Sequence, residues 1–168
     1  EAEVARERLS KVLLADIEYK TTIEKVLKLA GGEKFDIILA ASLLEHLQDT
    51  AKVILELEKL LKPGGLFIAS IPNIAHWSIR LALLRGNFDY AEYGILDNTH
   101  LRFFTIKTFR QLFENRGFIV KELVIDPVGG GYPRISRFLA RFFPNIFAYQ
   151  ILIVAQKQSL KSGKIQRP

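Results

Sequence analysis

Two acid–imidazole pairs carry the chemistry this sequence can offer. In "LLEHL" (Leu43–Leu47) the carboxylate of Glu45 adjoins the imidazole of His46, and in "LDNTHLRFF" (Leu96–Phe104) Asp97 precedes His100 by three residues. Imidazole titrates near neutrality, so His100 is the best base by type for a hydroxyl proton, with Asp97 placed to orient it. Asn98, Thr99 and Arg102 extend that cluster, and Asn73, His76 and Trp77 form a second polar group after "SIP". A structural reading competes at each position. Glu45 and His46 open a helix, where an acid is favoured by the helix dipole. Asp97 caps a turn and His100 bonds backbone, while Leu101, Phe103 and Phe104 fill the core. The three histidines show no metal-ligand spacing and there is no cysteine, so no metal is expected.

The elements that must hold these residues alternate. "KVLLAD" (Lys11–Asp16) reads as a short strand ending on an acid, and "TTIEKVLKLAGG" as a helix with a glycine stop. "FDIILA" (Phe35–Ala40) is uniformly apolar, which predicts a strand buried on both faces. A helix follows from Asp49 with Val53, Ile54, Leu57, Leu60 and Leu61 on one stripe, ended by Pro63-Gly64-Gly65. "LFIAS" (Leu66–Ser70) is the next strand, and helices are predicted at about 74–84 and 105–117. "FIVKELVID" and "NIFAYQILIVAQ" give the last two strands, joined without a clear crossover, so one of them is expected antiparallel. The pattern predicts an α/β, Rossmann-like, doubly wound and mostly parallel sheet. In such sheets a ligand sits beyond the carboxyl ends of the strands. Asp16, Ala40 to His46, Ser70 to His76 and the long 87–104 connection are therefore expected to share one surface, and connections of that length tend to be functional.

Composition bounds the function. At 168 residues, with 49% hydrophobic and 25% charged residues, one domain is expected over residues 1–158, followed by a disordered basic tail at 159–168. The net charge is +6 but no acid follows Asp126, so the basicity belongs to the C-terminal part. A solvated basic segment is the simpler reading, and no nucleic-acid partner is expected. "RISRFLARFFPNIF" is basic and amphipathic; a peripheral membrane contact over 134–143 competes with a helix laid on its own sheet, and the second is favoured. No apolar run is long enough for a membrane span and no signal peptide is visible, giving a cytoplasmic expectation. The chain contains no methionine and opens inside a helical pattern, "EAEVARERL", as a piece of something longer would.

Three motifs coincide: Asp16 at a strand end, "LLEHL", and "LLKPGGLFIASIPN". Together they resemble class I S-adenosylmethionine-dependent methyltransferases. "NIAHWSIRLALLRGNFDYAEYGILDNTHLRFFT" is similar to the subgroup associated with glycosyltransferases in surface-polysaccharide clusters. The resemblance implies that Asp16 and Ile17 hold the adenine edge of S-adenosylmethionine. It places Ala41 and Ser42 where backbone approaches the methionine part, with Glu45 and His46 lining the following turn. It implies O-methylation of a sugar or related small molecule; on the acceptor side, residue chemistry makes His100 and Asp97 the catalytic candidates, with Asn73, His76, Trp77, Tyr90 and Arg102 expected around the acceptor. Trp77 and Tyr90 suit an apolar platform for a sugar ring, or lid packing.

The resemblance also implies a glycine-rich cofactor loop and a ribose-binding acid on two strands preceding "EAEVARERL", neither of which this sequence contains. The strand at Phe35–Ala40 would then be a bare sheet edge, an association hazard that suits a homodimer or a non-catalytic fragment acting through another chain. A nicotinamide-dependent oxidoreductase shares the layers but leaves "LEHL" and "LKPGG" unexplained. A nucleic-acid methyltransferase would need an acid/amide-Pro-Pro-aromatic motif, and "SIPN" is not one.

Overall fold

The computed structural model describes residues 2–127 and 133–158. The stretch 128–132, which holds the glycine run, and the tail at 159–168 lie outside the described residues. The element order is α1 (Ala2–Arg8), α2 (Lys20–Leu29), β1 (Phe35–Ala41), a 3-10 turn (Leu44–His46), α3 (Thr50–Leu60), β2 (Leu61–Pro72), α4 (Trp77–Leu84), α5 (Ile106–Glu114), β3 (Phe118–Asp126), α6 (Pro133–Ala140), α7 (Pro144–Phe147) and β4 (Gln150–Lys157). The four strands form one sheet in the order β1-β2-β4-β3. β1 and β2 are parallel, and β4 runs antiparallel to both β2 and β3. The expected mixed sheet with a reversed strand near the C-terminus is therefore present.

Alternation along the strands sorts the core. Ala40 of β1, Phe67, Ala69 and Ile71 of β2, and Ile151, Ile153 and Ala155 of β4 are all buried on one face. Ile23 of α2, Val53, Ile54, Leu57 and Leu60 of α3, and Phe109 and Phe113 of α5 close over that face. Phe67, Phe113 and Phe118 meet edge to face with centroids 5.3 to 6.0 Å apart, each such pair adding about 0.5–1.5 kcal/mol to burial. Local chemistry sets the helix starts. The Asp49 carboxylate accepts from Lys52 N–H at 3.0 Å, and Thr105 and Thr108 exchange reciprocal side-chain-to-backbone bonds as a capping box.

Four expectations are corrected. Lys11–Asp16 forms no strand, and Leu14 is 83% exposed; a strand exists only where a ladder partner accepts it, and the segment pairs with none of the described strands. β1 is not buried on both faces. It is an edge strand with Ile37 and Leu39 more than half exposed. The "KPGG" stretch is not a loop but the start of β2. There a side chain at Gly65 would meet the carbonyl of Asp36 at 3.1 Å, so glycine lets the two backbones close. Finally, Asn145 to Phe147, expected to begin the last strand, belong to the helical turn α7 that Pro144 opens, and β4 starts at Gln150; in α6, Ser136 and Ala140 are buried while Ile135 and Phe138 are 60% exposed. Among the described residues no helix is long and apolar enough to cross a membrane.

Candidate active site

β1 ends in a sharp bend. Ser42 sits at φ 46°, a left-handed conformation that a residue with a Cβ adopts at a cost of about 1–2 kcal/mol. Its N–H donates to the carbonyl of Ser70 at 3.1 Å, and Gln150 Nε2 donates to the hydroxyls of Ser42 and Ser70 at 3.1 and 3.3 Å. This polar tie joins the ends of β1, β2 and β4. The bend throws the chain into the turn Leu44–His46, which presents Glu45 and His46 above the sheet.

The 94–104 segment is strapped onto that turn by backbone. Leu101 N–H and Arg102 N–H both donate to the carbonyl of Glu45, at 2.9 and 3.0 Å. Arg102 adds its guanidinium to the carbonyl of Gln48. The strap delivers His100 to Glu45 and His46, with the two imidazole centroids 4.8 Å apart. Ligand-capable atoms of Glu45, His46 and His100 all lie within 4.8 Å of one another.

Each imidazole is oriented through Nδ1. His100 Nδ1 donates to the carbonyl of Ile95 at 3.0 Å. His46 Nδ1 donates to Thr99, whose carbonyl and hydroxyl lie at 3.2 and 3.1 Å. The Thr99 hydroxyl in turn donates to Asp97 Oδ1 at 2.6 Å. In these tautomers both Nε2 atoms carry a lone pair. Asp97 thus orients His46 through Thr99, and the expectation that it orients His100 is corrected: a backbone carbonyl holds that ring. The Thr99 hydroxyl and amide hold the Asp97 carboxyl below its ordinary pKa. Glu45 is 1% exposed and its Oε2 has no hydrogen-bond partner. Desolvation raises its pKa, against opposing effects of its backbone, His46 and His100.

A cavity of about 250 Å³ opens over this cluster, lined by Ser42, Glu45, His46, Pro72, Gly94, Asp97, His100, Tyr149 and Gln150. Five residues singled out from sequence therefore share one site: Ser42, Glu45, His46, Asp97 and His100. Gly94, Tyr149 and Gln150 were missed. A Cβ on Gly94 would meet the Tyr149 hydroxyl at 2.9 Å, and only the position of Gly94 in the long loop hinted at its role.

Other sequence candidates sit elsewhere or do structural work. Asp16 and Ile17 belong to a turn in which Asp16 Oδ1 accepts from Glu18 N–H at 2.9 Å, and neither lines the cavity. Ala41 is exposed at the end of β1. Asn73 is fully buried, its amide donating to the carbonyls of Asn145 and Ala148 and its oxygen accepting from Ala75 N–H; an acceptor cannot reach it. His76 caps α4 and bonds Ser78, and burial lowers its pKa. Trp77 is half-buried against His76, and Tyr90 is exposed and meets Phe88 edge to face. Arg102 serves the strap. The acceptor role expected for Asn73 is corrected accordingly, since buried carbonyls take its amide.

The family model described as "Methyltransferase domain" matches residues 3–123. The chain belongs to that family. At the sequence level this methyltransferase domain is 30% identical over 120 residues to the ubiquinone biosynthesis O-methyltransferase of Methylobacterium sp. (strain 4-46), covering 68% of the chain and 47% of the relative. It is 30% identical over 130 residues to the protein of the same name from Dinoroseobacter shibae, covering 74% and 51%. The chain thus spans about half the length of the curated relatives it matches. Among solved structures, a SAM-dependent methyltransferase from Thermotoga maritima superposes with a TM-score of 0.58 at 19% identity, over 94% of this chain and 69% of that one. One from Archaeoglobus fulgidus gives 0.55 at 17%, over 92% and 71%. These likenesses carry the fold, and the methyltransferase domain's site stands on its own geometry.

Proposed function

We propose that this methyltransferase domain transfers a methyl group from S-adenosylmethionine to a hydroxyl oxygen of a small molecule, a sugar or related acceptor. The observation that carries the reading is the Glu45–His46–His100 cluster facing a cavity at the strand ends. The sequence relatives are named O-methyltransferases, which supports oxygen as the methylated atom.

The residues present fit the methyl-bearing end of the donor. Ala41 is small and exposed beside the bend at Ser42, and the Glu45 carboxylate faces the cavity where a cationic centre would be favoured. Asp16 would serve the adenine edge with the carboxylate oxygen that its turn leaves over. S-adenosylmethionine supplies an electrophilic methyl group when bound. The chain's own part is to hold the acceptor hydroxyl in line and remove its proton. His100 receives that proton at Nε2, its ring fixed by the Ile95 carbonyl, while Asp97 and Thr99 fix His46 beside it. The outward Ile135, Phe138 and Phe142, flanked by exposed Arg134, Arg137 and Arg141, would suit an acceptor carried at a lipid surface.

The test is transfer of labelled methyl to a panel of glycosides and catechols, with His100→Ala and Asp16→Ala alongside the parent. Transfer that falls at least a hundredfold in His100→Ala supports the assignment; transfer indifferent to it overturns the role of His100. A second reading, a chain that works only in association with another or with its own copy, is favoured by the open edge of β1 at Ile37 and Leu39. Sedimentation of the parent against Ile37→Lys separates the two: a species that stays monomeric at all concentrations rules out self-association.

A further inference from the structure

We propose that Glu45, His46 and His100 form a binding site for one divalent metal ion of the Zn²⁺/Mn²⁺ type, which positions and acidifies the acceptor hydroxyl. The inference deepens the function proposed above and rests on it for the acceptor's place. The three donors are a carboxylate and two imidazoles, the mixed oxygen–nitrogen set that first-row divalent ions prefer. One ligand-capable atom from each residue lies within 4.8 Å of the others, so binding at metal–ligand distances of about 2.1 Å draws the three side chains together.

Three independent features prepare the set. Each histidine spends Nδ1 on an outer partner, His100 on the Ile95 carbonyl and His46 on Thr99, which leaves Nε2 unprotonated for a ligand; metal-binding histidines are held this way. Thr99 is backed by Asp97, placing a carboxylate behind the His46 ring. Glu45 keeps an unpartnered Oε2 while almost fully buried. A buried carboxylate oxygen without a donor is costly, and a cation at this point relieves it. Glu45 and His100 are buried, and the cluster reaches the surface through its cavity. The cavity over it, with Tyr149 and Gln150 on its walls, leaves coordination positions open, as a site acting on substrate requires.

The chemistry balances without a further reagent. The acceptor hydroxyl coordinates through oxygen, its O–H is weakened and the proton leaves to water; the alkoxide pair then forms the new O–CH₃ bond as the methyl–sulfur bond breaks. In this loaded form His100 is a ligand, and the proton no longer goes to it.

The experiment is calorimetry of Zn²⁺ and of Mn²⁺ into the chelator-stripped chain, repeated on Glu45→Gln, His100→Ala and, as a control, His76→Asn. Circular dichroism confirms that each variant is folded. One equivalent of metal bound, weakened at least tenfold in Glu45→Gln and in His100→Ala but not in His76→Asn, is the expected result. No binding to the parent overturns the proposal, as does binding that survives both cluster substitutions. A visible absorption band with Co²⁺ that shifts on adding a catechol would place the acceptor on the ion. Chelator-resistant transfer that still needs His100 would remove the metal and keep the base role, so the inference can fail without the function failing.

Discussion

The imidazoles of His46 and His100 meet edge to face, 4.8 Å between centroids with their planes 63° apart, although 54 positions separate them in the chain. Their mutual setting depends on Thr99, which is exposed and bonded to both His46 and Asp97. Thr99→Val removes the hydroxyl relay without touching the core. Methyl transfer is expected to fall about ten- to a hundredfold, a cost typical of losing an outer-shell partner, with the melting temperature nearly unchanged. A wild-type rate in Thr99→Val would show that the relay does not position His46.

Glu45 sets activity against stability. Its carboxylate is buried with one oxygen unpartnered, and desolvation raises its pKa. Glu45→Gln keeps the shape and the backbone acceptor but removes the charge. The variant is expected to keep or raise the melting temperature, since a neutral amide costs less to bury than a carboxylate, and to be inactive. Scanning calorimetry on metal-free protein reads the first half of that statement. A lowered melting temperature would mean that the charge is compensated in the folded chain.

His76 should make the fold acid-sensitive. Burial lowers its pKa below the ordinary 6.5, so the unfolded chain takes up a proton at a pH where the folded chain resists it. The neutral ring is tolerated above 6.5. Stability is lost as pH falls through 6.5 towards the lower folded-state value. Denaturant midpoints at pH 7.5 and 5.5 should differ more in the parent than in His76→Asn, which retains a good N-cap for α4. Equal differences would remove His76 as the cause.

Gly94 combines a φ of 100° with a Cβ position 2.9 Å from the Tyr149 hydroxyl. Gly94→Ala therefore carries a backbone cost of about 1–2 kcal/mol and a clash on the cavity wall. Adding Tyr149→Phe should recover the clash but not the backbone cost, leaving the double variant between the single variant and the parent in chemical denaturation. Full recovery would mean that the loop accommodates alanine freely.

The elements legible in the sequence were those whose pattern is decided by their own core-facing side. The stripe of α3, the capped α5 and β3 stand close to where periodicity puts them, and β2 and β4 contain the expected apolar runs but start elsewhere, at Leu61 and Gln150. Lys11–Asp16 and the two-sided burial of β1 were misread because an apolar run states a preference for partners and not their presence. The site divided along the same line. Glu45-His46 and Asp97…His100 were visible as residue types, but their union was not, since it depends on one carbonyl, that of Glu45, accepting two amides from the far side of the chain. Asn73 and Arg102 looked like acceptor contacts because polar residues at strand ends often are. Carbonyls of Asn145 and Ala148 take the Asn73 amide and that of Gln48 takes the Arg102 guanidinium, which no side-chain pattern announces.

That shared carbonyl also sets when the site exists. Because Leu101 and Arg102 hang on one acceptor, a single local opening frees both amides at once, and they should exchange with deuterium at one common rate. The loop that must close to seat them spans more than fifty residues, an entropic cost met only after the sheet is in place. The Glu45–His46–His100 cluster is thus a late product of folding, and its assembly is expected to be lost before the strands beneath it unpair.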